Sequence, residues 1–194
     1  MASLGGDVKP NDVVAIKGLP RTQGRPARHQ AEIDCNLVVP ISVYRSGKGV
    51  YAMEASAVEG GCLCGAVRFT ISSAPLFCGH CHCSMCRRAH GAGYVTWIGV
   101  PYEHFQIVAG ADRLTHYRSS DHATRSFCGK CGSTLFFEST DHPTWIDVVL
   151  ANVDDKIDLA PQAHFYFDDR AEWIHVADGL QRFGGKTGLE PLNR

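Results

Sequence analysis

Neither sign of charge prevails in this chain: 19 lysines and arginines stand against 20 aspartates and glutamates, a formal net charge of -1. That balance removes the general electrostatic basis for a nucleic-acid or membrane-surface protein, and neither partner is expected. No apolar run approaches the roughly 18 residues that a spanning helix needs. The N-terminus lacks the charged, apolar and small-residue succession of a secretory signal, so the expected compartment is the cytoplasm. There is no phosphate-cradling glycine loop, no internal repeat and no alternation of helices with strands, which argues against a nucleotide-binding α/β fold.

Cysteine is the residue in excess. The 194 residues contain 9 cysteines, and eight of them lie between Cys62 and Cys131 in three clusters: GGCLCGAVRF, FCGHCHCSMCRR and FCGKCGSTLF. In a reducing compartment such closely spaced thiols read as metal ligands, zinc first, rather than as disulfides. With 44% of residues hydrophobic, the chain can bury a core as one domain, which metal would supplement.

The character of the chain changes near residue 53. Residues 1–52 carry scattered glycine, proline and basic residues with no sustained period, and are expected to be a disordered extension or the product of a mis-assigned start. Cys35, in this segment, is expected to be a free thiol without a role. Beyond Val58 the pattern is mainly β. Strand-like alternation runs over Ala66–Ser72, Tyr94–Val100, Phe105–Val108, Arg113–Tyr117, Ser133–Glu138, Trp145–Val149 and His164–Phe167. One short helix is expected, from about Ser84 to Ala89. The ordered domain is expected over 58–183, with 184–194 as a tail.

Cys62 and Cys64 are two apart, so on an extended segment both thiols leave the same face and reach one ion. Cys128 and Cys131 form a CGKCG turn of the zinc-knuckle kind, in which Gly129 and Gly132 can take positive φ. An ion shared by the two pairs would clamp distant parts of the chain, and four thiolates leave no ligand position vacant. That site is expected to be structural.

The middle cluster reads in more than one way. Cys81, Cys83 and Cys86 can converge on one ion where a strand runs into a helical turn, leaving a fourth position for an exogenous thiol. With Cys78 as an extra ligand, two pairs close the site instead. A third reading makes Cys78 a resolving thiol in redox chemistry.

These three motifs, in this order and with these gaps, resemble the glutathione-dependent formaldehyde-activating enzyme family, which includes the centromere protein V-like domains. The resemblance extends through IVAGADRLTHYRSS and ANVDDKIDLAPQAHFYFDDRAEWIHVADGLQRF. It implies a β-tent-like fold of twisted antiparallel sheets carrying two zinc sites. Cys62, Cys64, Cys128 and Cys131 match the structural zinc, and Cys81, Cys83 and Cys86 the second, catalytic one. Cys78 lies outside the family's motif. The implied activity is a carbon–sulfur lyase reaction, addition of glutathione or a similar thiol to formaldehyde or a related small aldehyde, giving an S-hydroxymethyl adduct. Arg87 and Arg88 would pair with a glutathione carboxylate or offset the thiolate charge. His80, His82 and His90 are candidate proton shuttles or supports of the metal site, and Tyr94 and Trp97 are expected in the core. The rival readings are a non-catalytic zinc-stapled binding module and the redox protein.

Overall fold

The computed structural model describes residues 57–192, and the expectations for 1–52 and for Cys35 fall outside them. Twelve strands and one α-helix are present among these residues. The strands are β1 (Val58–Gly61), β2 (Arg68–Ile71), β3 (Phe77–Cys81), β4 (Val95–Pro101), β5 (Phe105–Ala109), β6 (Leu114–Arg118), β7 (Ala123–Cys128), β8 (Thr134–Ser139), β9 (Trp145–Val149), β10 (Ala163–Phe165), β11 (Gln181–Gly184) and β12 (Glu190–Pro191). The helix is α1 (Ser84–His90). The fold is mainly β, as the alternating patterns require. No helix among the described residues is long and apolar enough to cross a membrane.

Two sheets form. A small one has the order β1-β2-β5, and a larger one the order β12-β11-β10-β3-β4-β9-β8-β7-β6. Most neighbours are antiparallel, but β10 runs parallel to both β3 and β11, so the larger sheet is mixed rather than wholly antiparallel. The segment expected as a tail contributes Gly184 and β12 to this sheet as far as Pro191.

Register and the two-residue period of strands sort the side chains of the larger sheet onto two faces. On one, Cys78, Ile98, Val148 and Phe136 lie opposite one another across β3, β4, β9 and β8. These pack with Val67, Phe69 and Ile71 of the small sheet's side as the principal core. Phe136 meets Phe69 and Phe105 edge-on, with centroids 5.3 and 5.0 Å apart, which joins the sheets through aromatic contact. On the other face, one row runs Phe77, Gly99, Asp147, Phe137 and Arg125 across β3, β4, β9, β8 and β7. Gly99 is required here, because a Cβ would stand 2.3 Å from the Phe77 ring. This second face carries Cys81, Trp97 and Val149 in a separate buried cluster.

Candidate metal centres

The outer four cysteines meet. Cys62 and Cys64 lie in the turn between β1 and β2, Cys128 ends β7, and Cys131 lies in the turn from β7 to β8. Their sulfurs all fall within 4.8 Å of one another. The Cys62–Cys64 and Cys64–Cys128 sulfur separations are 3.6 and 3.9 Å. A tetrahedral ion with bonds of about 2.3 Å would set its ligands about 3.8 Å apart, so the donors fit a four-thiolate metal. Cys62 and Cys64 do not sit on an extended segment as the spacing predicts. Gly65 donates its N–H to the Cys62 carbonyl at 2.9 Å, closing a tight turn. Of the two knuckle glycines, Gly132 takes a positive φ of 76° and Gly129 does not. Gly129 is needed for space, since a Cβ there would lie 2.9 Å from the Thr115 hydroxyl. Ser133, through its hydroxyl and its backbone, lowers Cys131 to about 5, and the Val67 N–H donates to Cys62 Sγ at 3.3 Å. Both contacts favour thiolate.

Cys81, Cys83 and Cys86 form the second cluster, again with sulfurs within 4.8 Å, and all three are buried. Local structure explains the convergence. Cys81 ends β3, Cys83 caps α1, and the first helical turn returns Cys86 over it, its N–H donating to Cys83 Sγ at 3.3 Å. Asp169 fixes the turn by accepting from the Ser84 N–H at 2.6 Å. Among the described residues no fourth cysteine, histidine or carboxylate joins the three.

Cys78, expected as a possible extra ligand, does not join either thiol cluster. It is three residues from Cys81 on one strand, and three is odd, so the two side chains leave opposite faces. Cys78 is packed into the principal core at 1% exposure, where burial pushes its thiol up to about 11. An apolar site of that kind suits neither a ligand nor a resolving thiol.

The charge of the trio is met by a residue that motif reading missed. Arg125 on β7 is 5% exposed, and its Nη1 and Nη2 each lie 3.7 Å from Cys86 Sγ while the guanidinium covers the Phe137 ring at 4.9 Å. Hydrogen bonds from Cys81 and Cys83, together with this cation, hold Cys86 well below the ordinary thiol range. Arg87 is largely committed within the fold, its Nε donating to the His82 carbonyl and its Nη2 to the Asp169 carbonyl, both at 2.9 Å. Arg88 is exposed on α1.

Asp147 is the second missed residue. It lies inward on β9, 7% exposed, in register with Phe137 and Gly99. Burial pushes its carboxyl up to about 8 against the opposing pull of the Trp145 indole, and the charges of Cys86 and Arg125 also act on it. Its Oδ1 has no hydrogen-bond partner, and its Oδ2 is 3.6 Å from His142 Nε2. The signal available in WIDVV is a lone acid at an inward position of an apolar strand.

The histidines divide. His90 stands edge-on to Trp97 at 5.3 Å, with its Nε2 buried and unpartnered. His80 and His82 belong to another group, under Tyr94. His82 Nε2 and His164 Nδ1 are 2.8 Å apart, and His164 Nε2 meets Asp178 Oδ2 at 3.0 Å. Burial, with the positive charge of neighbouring groups, lowers His82 to about 4. Trp97 is in the core as expected, whereas Tyr94 is 38% exposed and covers the two histidines.

A strand-rich domain with one four-thiol and one three-thiol cluster, each able to hold a metal ion, has two candidate metal centres. Residues 57–169, more than half of the chain, match the model of the glutathione-dependent formaldehyde-activating enzyme family, and the chain belongs to that family. A Halomonas elongata protein named as a candidate enzyme of this kind is 28% identical over 127 residues, 61% of this chain and 80% of its own. An uncharacterized lyase of Schizosaccharomyces pombe is 30% identical over 134 residues, covering 64% and 89%. A crystal structure of a Rhodobacter sphaeroides protein overlaps 50% of this chain and 89% of its own, at 27% identity and a TM-score of 0.44.

Proposed function

We propose that the protein is a zinc-dependent carbon–sulfur lyase that joins glutathione, or a similar thiol, to formaldehyde or a related small aldehyde. The observation that carries this reading is the incomplete ligand set: three buried thiols converge, and among the described residues no fourth cysteine, histidine or carboxylate joins them. In this reading Cys62, Cys64, Cys128 and Cys131 hold a structural zinc, and Cys81, Cys83 and Cys86 the second. Zinc at the second site supplies the positive charge that favours the thiolate form of an incoming thiol.

The residues of the chain do the rest. Three thiolates on one divalent ion leave a negative excess, which Arg125 offsets from a buried position, keeping the site receptive to another anionic sulfur. Trp97, Phe137 and Val149 exclude water from the cluster, so a thiolate delivered there is poorly hydrated and correspondingly nucleophilic. Thiols add to formaldehyde unaided, so holding the two reactants in contact is most of what is required. Arg88, exposed on α1, is the cation we assign to a glutathione carboxylate, with Arg87 as its inner neighbour. The family name and the two relatives named above support the reaction class.

The test is the rate at which free thiol disappears when glutathione and formaldehyde are mixed with zinc-loaded protein. Acceleration is expected in the wild type and is abolished in Cys83→Ser, whose circular dichroism stays that of the folded domain. Absence of acceleration in the wild type would leave a zinc-stapled binding module as the function.

A further inference from the structure

The face of the larger sheet that bears the thiol trio also bears unpartnered polar atoms. Five buried side-chain nitrogen or oxygen atoms lack a hydrogen bond among the described residues, and three of them, on His142, Trp145 and Asp147, belong to one corner of this face. The His142 ring stacks on Trp145 at 4.5 Å with an interplanar angle of 6°, and both stand beside the Asp147 carboxyl. The Trp145 indole and the Asp147 carboxyl lie close enough to act on each other but make no full hydrogen bond, and buried polar atoms left in that state are costly and uncommon, so their gathering at one place points to a small ligand. The occupant is small, because Phe77, Phe137 and Trp97 crowd the surroundings. It is also polar, and it lies within the electrostatic reach of Cys86 and Arg125.

We propose that Asp147, flanked by His142 and Trp145, is the subsite for the aldehyde oxygen and a catalytic residue of the addition, donating a hydrogen bond to that oxygen as the carbon–sulfur bond forms. This rests on the lyase reading above. The balance is simple. The thiol releases its proton to solvent; sulfur bonds to the carbonyl carbon while the carbon–oxygen π bond breaks and its electron pair moves to oxygen. That oxygen, held by the hydrogen bond from the carboxyl, takes a proton from water, which replaces the one the thiol released. The sum is thiol plus aldehyde giving the hydroxyalkyl thioether, with no oxidant or reductant. Buried and facing apolar neighbours, the carboxyl keeps its proton near neutrality and so has a hydrogen to donate. His142, 20% exposed at the side chain, places the edge of this corner at the surface.

Three measurements on zinc-loaded full-length protein test this. Asp147→Ala should lower kcat/KM for formaldehyde about 100-fold, while Asp147→Asn, which keeps a donor in place, stays within about tenfold of wild type. Glutathione should perturb the absorption of the cobalt-substituted protein equally in wild type and both variants, because the thiol site is separate. Formamide, an inert carbonyl of similar size, should shift the carboxyl 13C resonance of Asp147, assigned by its loss in Asp147→Asn. The inference is overturned if Asp147→Ala keeps kcat/KM within about twofold of wild type, or if formamide leaves that resonance unmoved. The NMR measurement decides even if Asp147→Ala does not fold. Loss of the cobalt response to glutathione in the wild type would instead overturn the open thiol site, a separate failure.

Discussion

Arg125 directs two guanidinium nitrogens at Cys86 Sγ, each 3.7 Å away, from a strand that lies 39 residues beyond it in sequence. A buried guanidinium needs an anion, and a three-thiolate centre needs a cation; each stabilises the other's burial. Removing the cation while keeping the bulk, as Arg125→Met, should therefore weaken metal retention at the trio about 10- to 100-fold and leave the outer centre unchanged. Competition with a chromogenic chelator resolves the two ions, and release of both at wild-type rates would refute the pairing.

The outer cluster ties the turn after β1 to the end of β7, where Cys64 and Cys128 are 64 residues apart. Closing so long a loop restrains the unfolded chain strongly, so loss of a ligand there should cost far more stability than loss of one in the trio. Thermal denaturation should show Cys128→Ser with the larger fall in Tm and Cys83→Ser with the smaller. Equal falls would mean that both centres are structural.

Cys78 is packed against Ile98 and the small sheet, away from the trio. Cys78→Ala should cost about 1 kcal/mol through the small cavity it leaves. It should change neither zinc stoichiometry nor the outcome of mild peroxide treatment. A lost zinc equivalent in this variant would restore Cys78 as a ligand.

The Asp147 carboxyl gives stability a pH dependence of known sign. Its value rises from 3.8 to about 8 because burial penalises the charged form. Between those values the native state holds a proton that the unfolded state has lost, so this residue's contribution is favourable at low pH and is lost as pH climbs through the native value. Urea denaturation of wild type and Asp147→Asn at about pH 5 and about pH 9 should show the wild type losing a few kcal/mol more. Parallel profiles would mean that the carboxyl is not buried as described.

How far these features can be read in advance depends on the range of the interaction. The patterns in Trp145–Val149 and Phe105–Val108 announce strands whose bounds nearly coincide with β9 and β5, because a strand packed on one face alternates, as β5 does, and a central strand packed on both, as β9 is, reads as a short apolar run. β3 is hidden in FCGHC, where two cysteines and a glycine mask the period, and β7 in ATRSFC, where an inward arginine breaks it.

The order and spacing of the cysteines determined which thiols pair locally: a two-residue step in a turn, or a strand end entering a helical turn, brings neighbouring sulfurs together, whereas the meeting of the two outer pairs, 64 residues apart, needed the fold. Tertiary structure decided which of them could not join and what surrounds them. Cys78 is excluded by facing the opposite side of the sheet from Cys81, a matter of which face the rest of the fold covers. Arg125 and Asp147 reach the trio's face only through the pairing of β7, β8 and β9, because register between distant strands depends on the packing of both faces at once rather than on any local pattern.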